Sequence, residues 1–206
     1  DTRLSRGLGD VYKRQAQGTP TDGAEGWFLT CAHNVMQLDG NNQHQIFDQV
    51  WINYLENWYR VDPAWIFYDA VADVCLIKTG ITIQANHMLK ISQVEPLTGQ
   101  TVWICGFPGG YDVDSMTKGI IRDAHFNIND SGQAVDSLFL NAPAIGGNSG
   151  SAILNNEGDI VGIYTFGYTD KETFGGGANR SVVHYVTEKL KVQAQPNARY
   201  VDKNYL

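Results

Sequence analysis

Between residues 26 and 166 the apolar residues come in short runs, each closed by a turn signal, and this punctuation constrains the fold most. Trp27–Ala32 is the first run. Ile46–Tyr54 and Trp58–Val61 flank a turn at Leu55-Glu56-Asn57 and predict a hairpin. Ala64–Phe67 and Val74–Lys78 follow, the second closed by Thr79-Gly80. A second group holds Thr101–Cys105, Gly119–Arg122, His125–Ile128, Ser137–Asn141, Ser151–Leu154 and Ile160–Phe166. The last two are joined by the turn Asn155-Asn156-Glu157-Gly158. One helix is predicted over 181–192, where Val182, Val183, Val186 and Leu190 share a face behind an N-cap at Ser181. The pattern is all-β with a late helix, in barrel or sandwich form.

Composition narrows the function classes. The 22 glycines among 206 residues are too many for a helical bundle and lack the period of collagen. A hydrophobic share of 43% with 11% aromatics argues against disorder. No apolar run approaches the ~20 residues of a membrane helix. The net charge of −7, with no basic cluster, argues against nucleic acid as a partner. Cys31, Cys75 and Cys105 each sit in an apolar stretch, and their spacing fits neither a zinc site nor a disulfide framework. They are expected as small buried residues, and no metal or cofactor is called for. Residues 1–15, DTRLSRGLGDVYKRQ, contain no apolar core and no cleavage pattern, so they are not a secretory signal. They resemble translated adapter sequence and are read as a non-native segment set aside from the fold, the alternative being a native, disordered basic arm.

The segment Gly146-Gly147-Asn148-Ser149-Gly150-Ser151 carries the strongest chemical signal. Glycines beside a serine on a tight turn let a carbonyl approach its hydroxyl and let backbone N–H groups turn inward. The same residues are also ordinary hairpin chemistry. A serine hydroxyl needs a base. Of the five histidines, His33 ends the apolar strand WFLTCA, a rigid place for one. His44 lies in a polar loop, and His87, His125 and His184 read as structural. A base in turn needs an orienting carboxylate. Asp73 immediately precedes the apolar run VCLIK, where burial requires hydrogen bonding. On the residues alone Asp62 and Asp69 compete with it, and a strand-end turn would explain Asp73 equally well.

The blocks LTCAH, DVCLIK and GGNSGSAILNNEGDIVGI, in the order His, Asp, Ser, resemble those of trypsin-like (chymotrypsin-fold) serine peptidases. ICGFPGG at 104–110 with Lys118-Gly119-Ile120-Ile121 resembles bacterial and viral members, including the glutamyl-endopeptidase and HtrA-like branches. The resemblance covers roughly residues 18–192 and implies two packed antiparallel β-barrels. The first is expected over 16–95, short of its N-terminal strand or strands, and the second over 96–180. The helix 181–192 and a tail 193–206 follow. The resemblance further implies His33 as general base, Asp73 as orienting acid and Ser149 as nucleophile. The backbone N–H groups of Gly147 and Ser149 would form the oxyanion hole. The reversed triad order and missing helices set an α/β-hydrolase aside.

The family's primary specificity pocket maps onto Pro143, Ala144, Tyr164, Thr165, Phe166 and Gly167. No carboxylate stands at Pro143 to pair with Lys or Arg, and Tyr164 replaces the histidine of glutamate-specific relatives. An apolar or small P1 side chain of a protein or peptide substrate is therefore expected, with no nucleic-acid or membrane partner. Thr165 matches a position that supports the catalytic aspartate in relatives. Asn34 stands where animal members carry a disulfide cysteine, and Ser151-Ala152 replaces the usual Gly-Pro. The C-terminal RYVDKNYL resembles the lead-in to an HtrA-like peptide-binding domain. Family resemblance favours a secreted or periplasmic setting. The competing readings are a catalytically inactive trypsin-like fold acting as a protein-binding module and a structural β domain. Composition and motifs leave the oligomeric state open.

Overall fold

The structure is a computed structural model, described over residues 25–107, 115–128, 134–144, 146–168 and 171–194. The segment 1–15, positions 108–110 of the ICGFPGG block and the tail from 195 lie outside the described residues. No helix is long and apolar enough to cross a membrane among the described residues.

Among the described residues the chain is built of antiparallel strands with one α-helix near the C-terminal end. The first half comprises β1 (Glu25–Thr30), β2 (Met36–Leu38), β3 (His44–Ile46), β4 (Val50–Tyr54), β5 (Asn57–Val61), β6 (Ile66–Asp69) and β7 (Val74–Thr82). These form a sheet in the order β1-β7-β6 and the two ribbons β2-β3 and β4-β5. Their inner faces share one core, in which Phe28, Val50, Ile52, Val61, Ile66 and Ile77 meet. The second half comprises β8 (Thr101–Gly106), β9 (Ser115–Ile128), β10 (Val135–Asn141), β11 (Ala152–Leu154), β12 (Ile160–Tyr168) and β13 (Lys171–Asn179). It closes into a six-stranded barrel, β10-β13-β12-β11-β8-β9, around Val102, Ile104, Ile121, Leu138, Leu140 and Ile153.

A third apolar cluster joins the halves. Leu29, Val74 and Leu76 of the first half pack on Ala152, Ile160 and Ile163 of the second, and α1 (Arg180–Gln193) covers the seam with Val183, Val186 and Leu190. Burying side chains of this size stabilises by about 1.5–3 kcal/mol each. The seam therefore holds the end of β1 and the start of β7 in fixed relation to β11 and β12.

Several elements differ from the sequence expectation for local reasons. Ile46–Tyr54 is two strands separated at 47–49. Ala64 belongs to a 3-10 turn that Asp62 caps through the Ala64 N–H, so β6 starts at Ile66. Gly119–Arg122 and His125–Ile128 are one strand, β9, because register shifts against β10 around Phe139 absorb Asp123-Ala124 within the ladder. The glycine-rich β13 was not expected as a strand at all. α1 is capped by Asn179, whose side chain accepts the Val182 N–H at 3.0 Å, rather than by Ser181.

Candidate active site

β1 ends at Thr30 with Phe28 and Leu29 fully buried, and the backbone then enters a 3-10 turn over Ala32–Asn34. His33 projects from this turn with its side chain 45% exposed. Across from it lies the β6–β7 turn. There Asp69 accepts the N–H groups of Val71 and Ala72, and Asp73 adopts a left-handed backbone with φ +51°. Aspartate tolerates that conformation better than most residues, and strain of this kind marks functional turns. The Asp73 carboxylate accepts the His33 backbone N–H at 2.9 Å with Oδ1 and His33 Nδ1 at 2.7 Å with Oδ2.

That arrangement sets the ring's chemistry. An ionised carboxylate only accepts, so Nδ1 carries the proton and the lone pair is left on Nε2. Burial lowers the His33 pKa, and the Asp73 hydrogen bond and charge outweigh it, so the imidazole sits above its usual 6.5.

Ser149 sits on the opposite turn, half-buried, between Gly147 at φ +99° and Gly150 at φ +84°. Only glycine adopts those angles without strain. The turn is closed by Ser151 N–H donating to Asn148 O at 2.9 Å and is tied to the barrel twice, by Gly150 N–H to Tyr164 O at 2.8 Å and Tyr164 N–H to Ser151 O at 2.9 Å. It is tied to the first half by Asn34, whose Nδ2 donates to Ser149 O at 2.8 Å. Asn34 is the residue after His33, so this bond sets the turn of the histidine against the turn of the serine.

The Trypsin-like peptidase domain family matches over residues 20–163. The chain belongs to the trypsin-like peptidase family. Solved structures share its fold. The inactive form of Rv3671c from M. tuberculosis H37Rv superposes with a TM-score of 0.66 at 17% identity, covering 95% of this chain and 96% of that one. The active form of the Rv3671c protease gives 0.63 at 18%, covering 88% and 77%. The HtrA-type protease AlgW with a decapeptide gives 0.57 at 19%, covering 83% of this chain and 50% of AlgW. No curated protein sequence gives a significant match.

Within this trypsin-like domain the competing acids have other duties. Asp62 caps a turn, and Asp69 shapes the β6–β7 turn and pairs with Lys189 at 3.3 Å. His87 bonds the Tyr54 hydroxyl, and His125 pairs with Asp136 on an exposed edge. Tyr164 is buried in the barrel's apolar cluster, which also holds Ala142 and Ala144. A Cβ on Gly167 would stand 2.8 Å from the Tyr164 hydroxyl, and one on Gly175 would collide with it. Burial pushes this phenol up to about 12, so it stays neutral. Pro143 is exposed, Thr165 and Phe166 are half-buried, and Gly167 is exposed. Among the described residues, both hydrogen bonds to the Asp73 carboxylate come from His33.

Cys31, His33 and Asp73 each offer a ligand atom within a 4.8 Å cluster, and Cys31 Sγ lies 3.6 Å from His33 Nε2. Burial, then the Asp73 charge, hold the Cys31 thiol well above its usual value, and His33 engages both Asp73 oxygens. The cluster is better suited to acid–base work than to a metal. Asn34 is the site residue that motif reasoning missed as a participant; its only signal was its place beside His33.

Proposed function

We propose that the chain is a serine endopeptidase that cleaves protein or peptide substrates through an acyl-enzyme. The supporting observation is the double hydrogen bond of Asp73 to His33, in a turn bonded through Asn34 to the Ser149 carbonyl. In this reading Ser149 Oγ attacks the scissile carbonyl, and His33 Nε2 takes the hydroxyl proton and passes it to the leaving amine. Asp73 holds the ring and stabilises the imidazolium. The N–H groups of Gly147 and Ser149 donate to the oxyanion, a contribution worth about 3–4 kcal/mol per donor in such sites. Water then attacks the acyl-enzyme, with His33 again the base.

A small or apolar P1 side chain fits this reading. Tyr164 shares the barrel's apolar cluster with Ala142 and Ala144, its hydroxyl lies against Gly167 and Gly175, and position 143 offers no carboxylate. A fluorophosphonate probe tests the assignment. It is expected to label Ser149 in the wild type and not in Ser149→Ala, and His33→Ala is expected to abolish nearly all labelling. Peptide hydrolysis retained by Ser149→Ala would overturn the proposal, and an intact but unlabelled Ser149 would point to a binding module.

A further inference from the structure

We infer that Asn34 is a positioning residue for the nucleophile, acting as a clamp from the histidine's half of the molecule onto the peptide unit that follows Ser149. The inference rests on the reading of Ser149 as nucleophile. The Ser149–Gly150 peptide unit is held at both ends. Its carbonyl oxygen accepts from Asn34 Nδ2 at 2.8 Å, and its N–H donates to Tyr164 O at 2.8 Å. One partner belongs to the first half and the other to the barrel, so the plane of this unit is set by both.

The donor is itself fixed. Asn34 Nδ2 also donates to Thr30 Oγ1 at 3.2 Å, and Thr30 is fully buried at the end of β1. The amide thereby spends both its hydrogens, one on each half. Space leaves little freedom, because a Cβ on Gly150 would collide with Thr30 Oγ1 and stand 2.7 Å from Asn34 Nδ2. The Ser149–Gly150 peptide plane thus cannot rotate without breaking the Asn34 bond or the Tyr164 one. Misplacing a nucleophile by about 1 Å costs on the order of 10²-fold in rate. Asn34 touches the Ser149 carbonyl and not the reacting hydroxyl, so its effect is on orientation.

The test compares wild type with Asn34→Ala and Asn34→Asp, using the second-order rate of Ser149 labelling by a fluorophosphonate and steady-state peptide hydrolysis. Asn34→Asp keeps the side chain's shape and replaces the donor by an acceptor facing the Ser149 carbonyl, so it serves if the alanine variant fails to fold. Both variants are expected to lose about 10- to 100-fold in labelling rate and in kcat, with KM changed less than threefold. For Asn34→Ala, which adds no charge, the acid limb of the pH profile is expected to stay at its wild-type midpoint, because the His33–Asp73 pair is untouched. Labelling at the wild-type rate in a folded Asn34→Asp protein would overturn the clamp while leaving the nucleophile assignment standing. Loss confined to KM in either variant, or a shifted acid limb in Asn34→Ala, would equally overturn it. Failure of Ser149 to label in the wild type would instead remove the underlying reading.

Discussion

Asp73 accepts two hydrogen bonds from the same residue, the backbone N–H and the ring Nδ1–H of His33. The backbone bond fixes where the ring starts, and the ring bond fixes its tautomer. Asp73→Asn keeps the shape and tolerates the φ of +51°, but it can present an N–H where Nδ1–H needs an acceptor. The variant is expected to fold with near-wild-type thermal stability and, under the proposed mechanism, to lose about 10⁴-fold in kcat, the loss a wrong tautomer causes where an aspartate orients a catalytic histidine. Steady-state kinetics on a peptide substrate checks this; a loss below tenfold would mean that Asp73 does not orient the base.

The same pair sets a pH dependence. In the proposed mechanism His33 acts as a base only when neutral, and its pKa is raised above 6.5 because the Asp73 bond and charge outweigh burial. Activity is therefore expected to fall as pH drops through a midpoint above 6.5, and kcat/KM against pH measures it. Stability has the opposite sense. The fold favours protonated His33, so the contribution is complete below the ordinary value and fades as pH rises through the raised one. His33→Ala should thus cost more stability at pH 5 than at pH 9, as urea titrations at the two values would show.

The apolar punctuation of the chain was enough to locate most strands, because half-buried antiparallel strands write their burial into the sequence. β13 was not, and Gly175, Gly176 and Gly177 show why. A Cβ on Gly176 would run into the Leu138 carbonyl, and one on Gly177 into the Ile163 carbonyl. Those glycines serve close approach between neighbouring strands, which only tertiary context reveals, whereas locally they read as loop. The same holds at the site. His33, Asp73 and Ser149 stand out by motif, while the role of Asn34 depends on Ser149, 115 residues away.

Gly176→Ala is accordingly expected to destabilise the barrel, since backbone rather than a flexible side chain would have to move. Overpacking of this kind costs about 1–3 kcal/mol or more. The midpoint of denaturant unfolding should fall, while Gly80→Ala, with open space at its Cβ position, should change it little. Equal midpoints for the two variants would contradict the close-approach account.

Tyr164→Val would open the space that its ring and hydroxyl fill against Gly167 and Gly175. Truncating so buried a ring leaves a cavity and costs several kcal/mol, so the comparison belongs at low temperature. Each added methylene accommodated in an apolar pocket is worth about 1–3 kcal/mol of discrimination. The ratio of kcat/KM for a leucine over an alanine at P1 should therefore rise at least tenfold, read from matched peptides. An unchanged ratio would show that Tyr164 does not limit the depth of the pocket.

Arg180, at the start of α1, ties the linker between the halves to the helix. Its Nε donates to Ser92 O at 2.7 Å and its Nη1 to Glu95 Oε1 at 2.8 Å, with the Arg180 side chain only 15% exposed. Hydrogen bonds from a sheltered charge contribute about 1.5–3 kcal/mol, more than an open surface pair does. Arg180→Met keeps the aliphatic stem and removes both donors. Tm is expected to fall by roughly 2–4 °C per kcal/mol lost, as a scanning calorimeter would register. Glu95→Gln, which keeps an acceptor oxygen for Nη1, should cost less. If Glu95→Gln proved the more damaging of the two, the linker would be held by the glutamate's charge rather than by the arginine's two bonds.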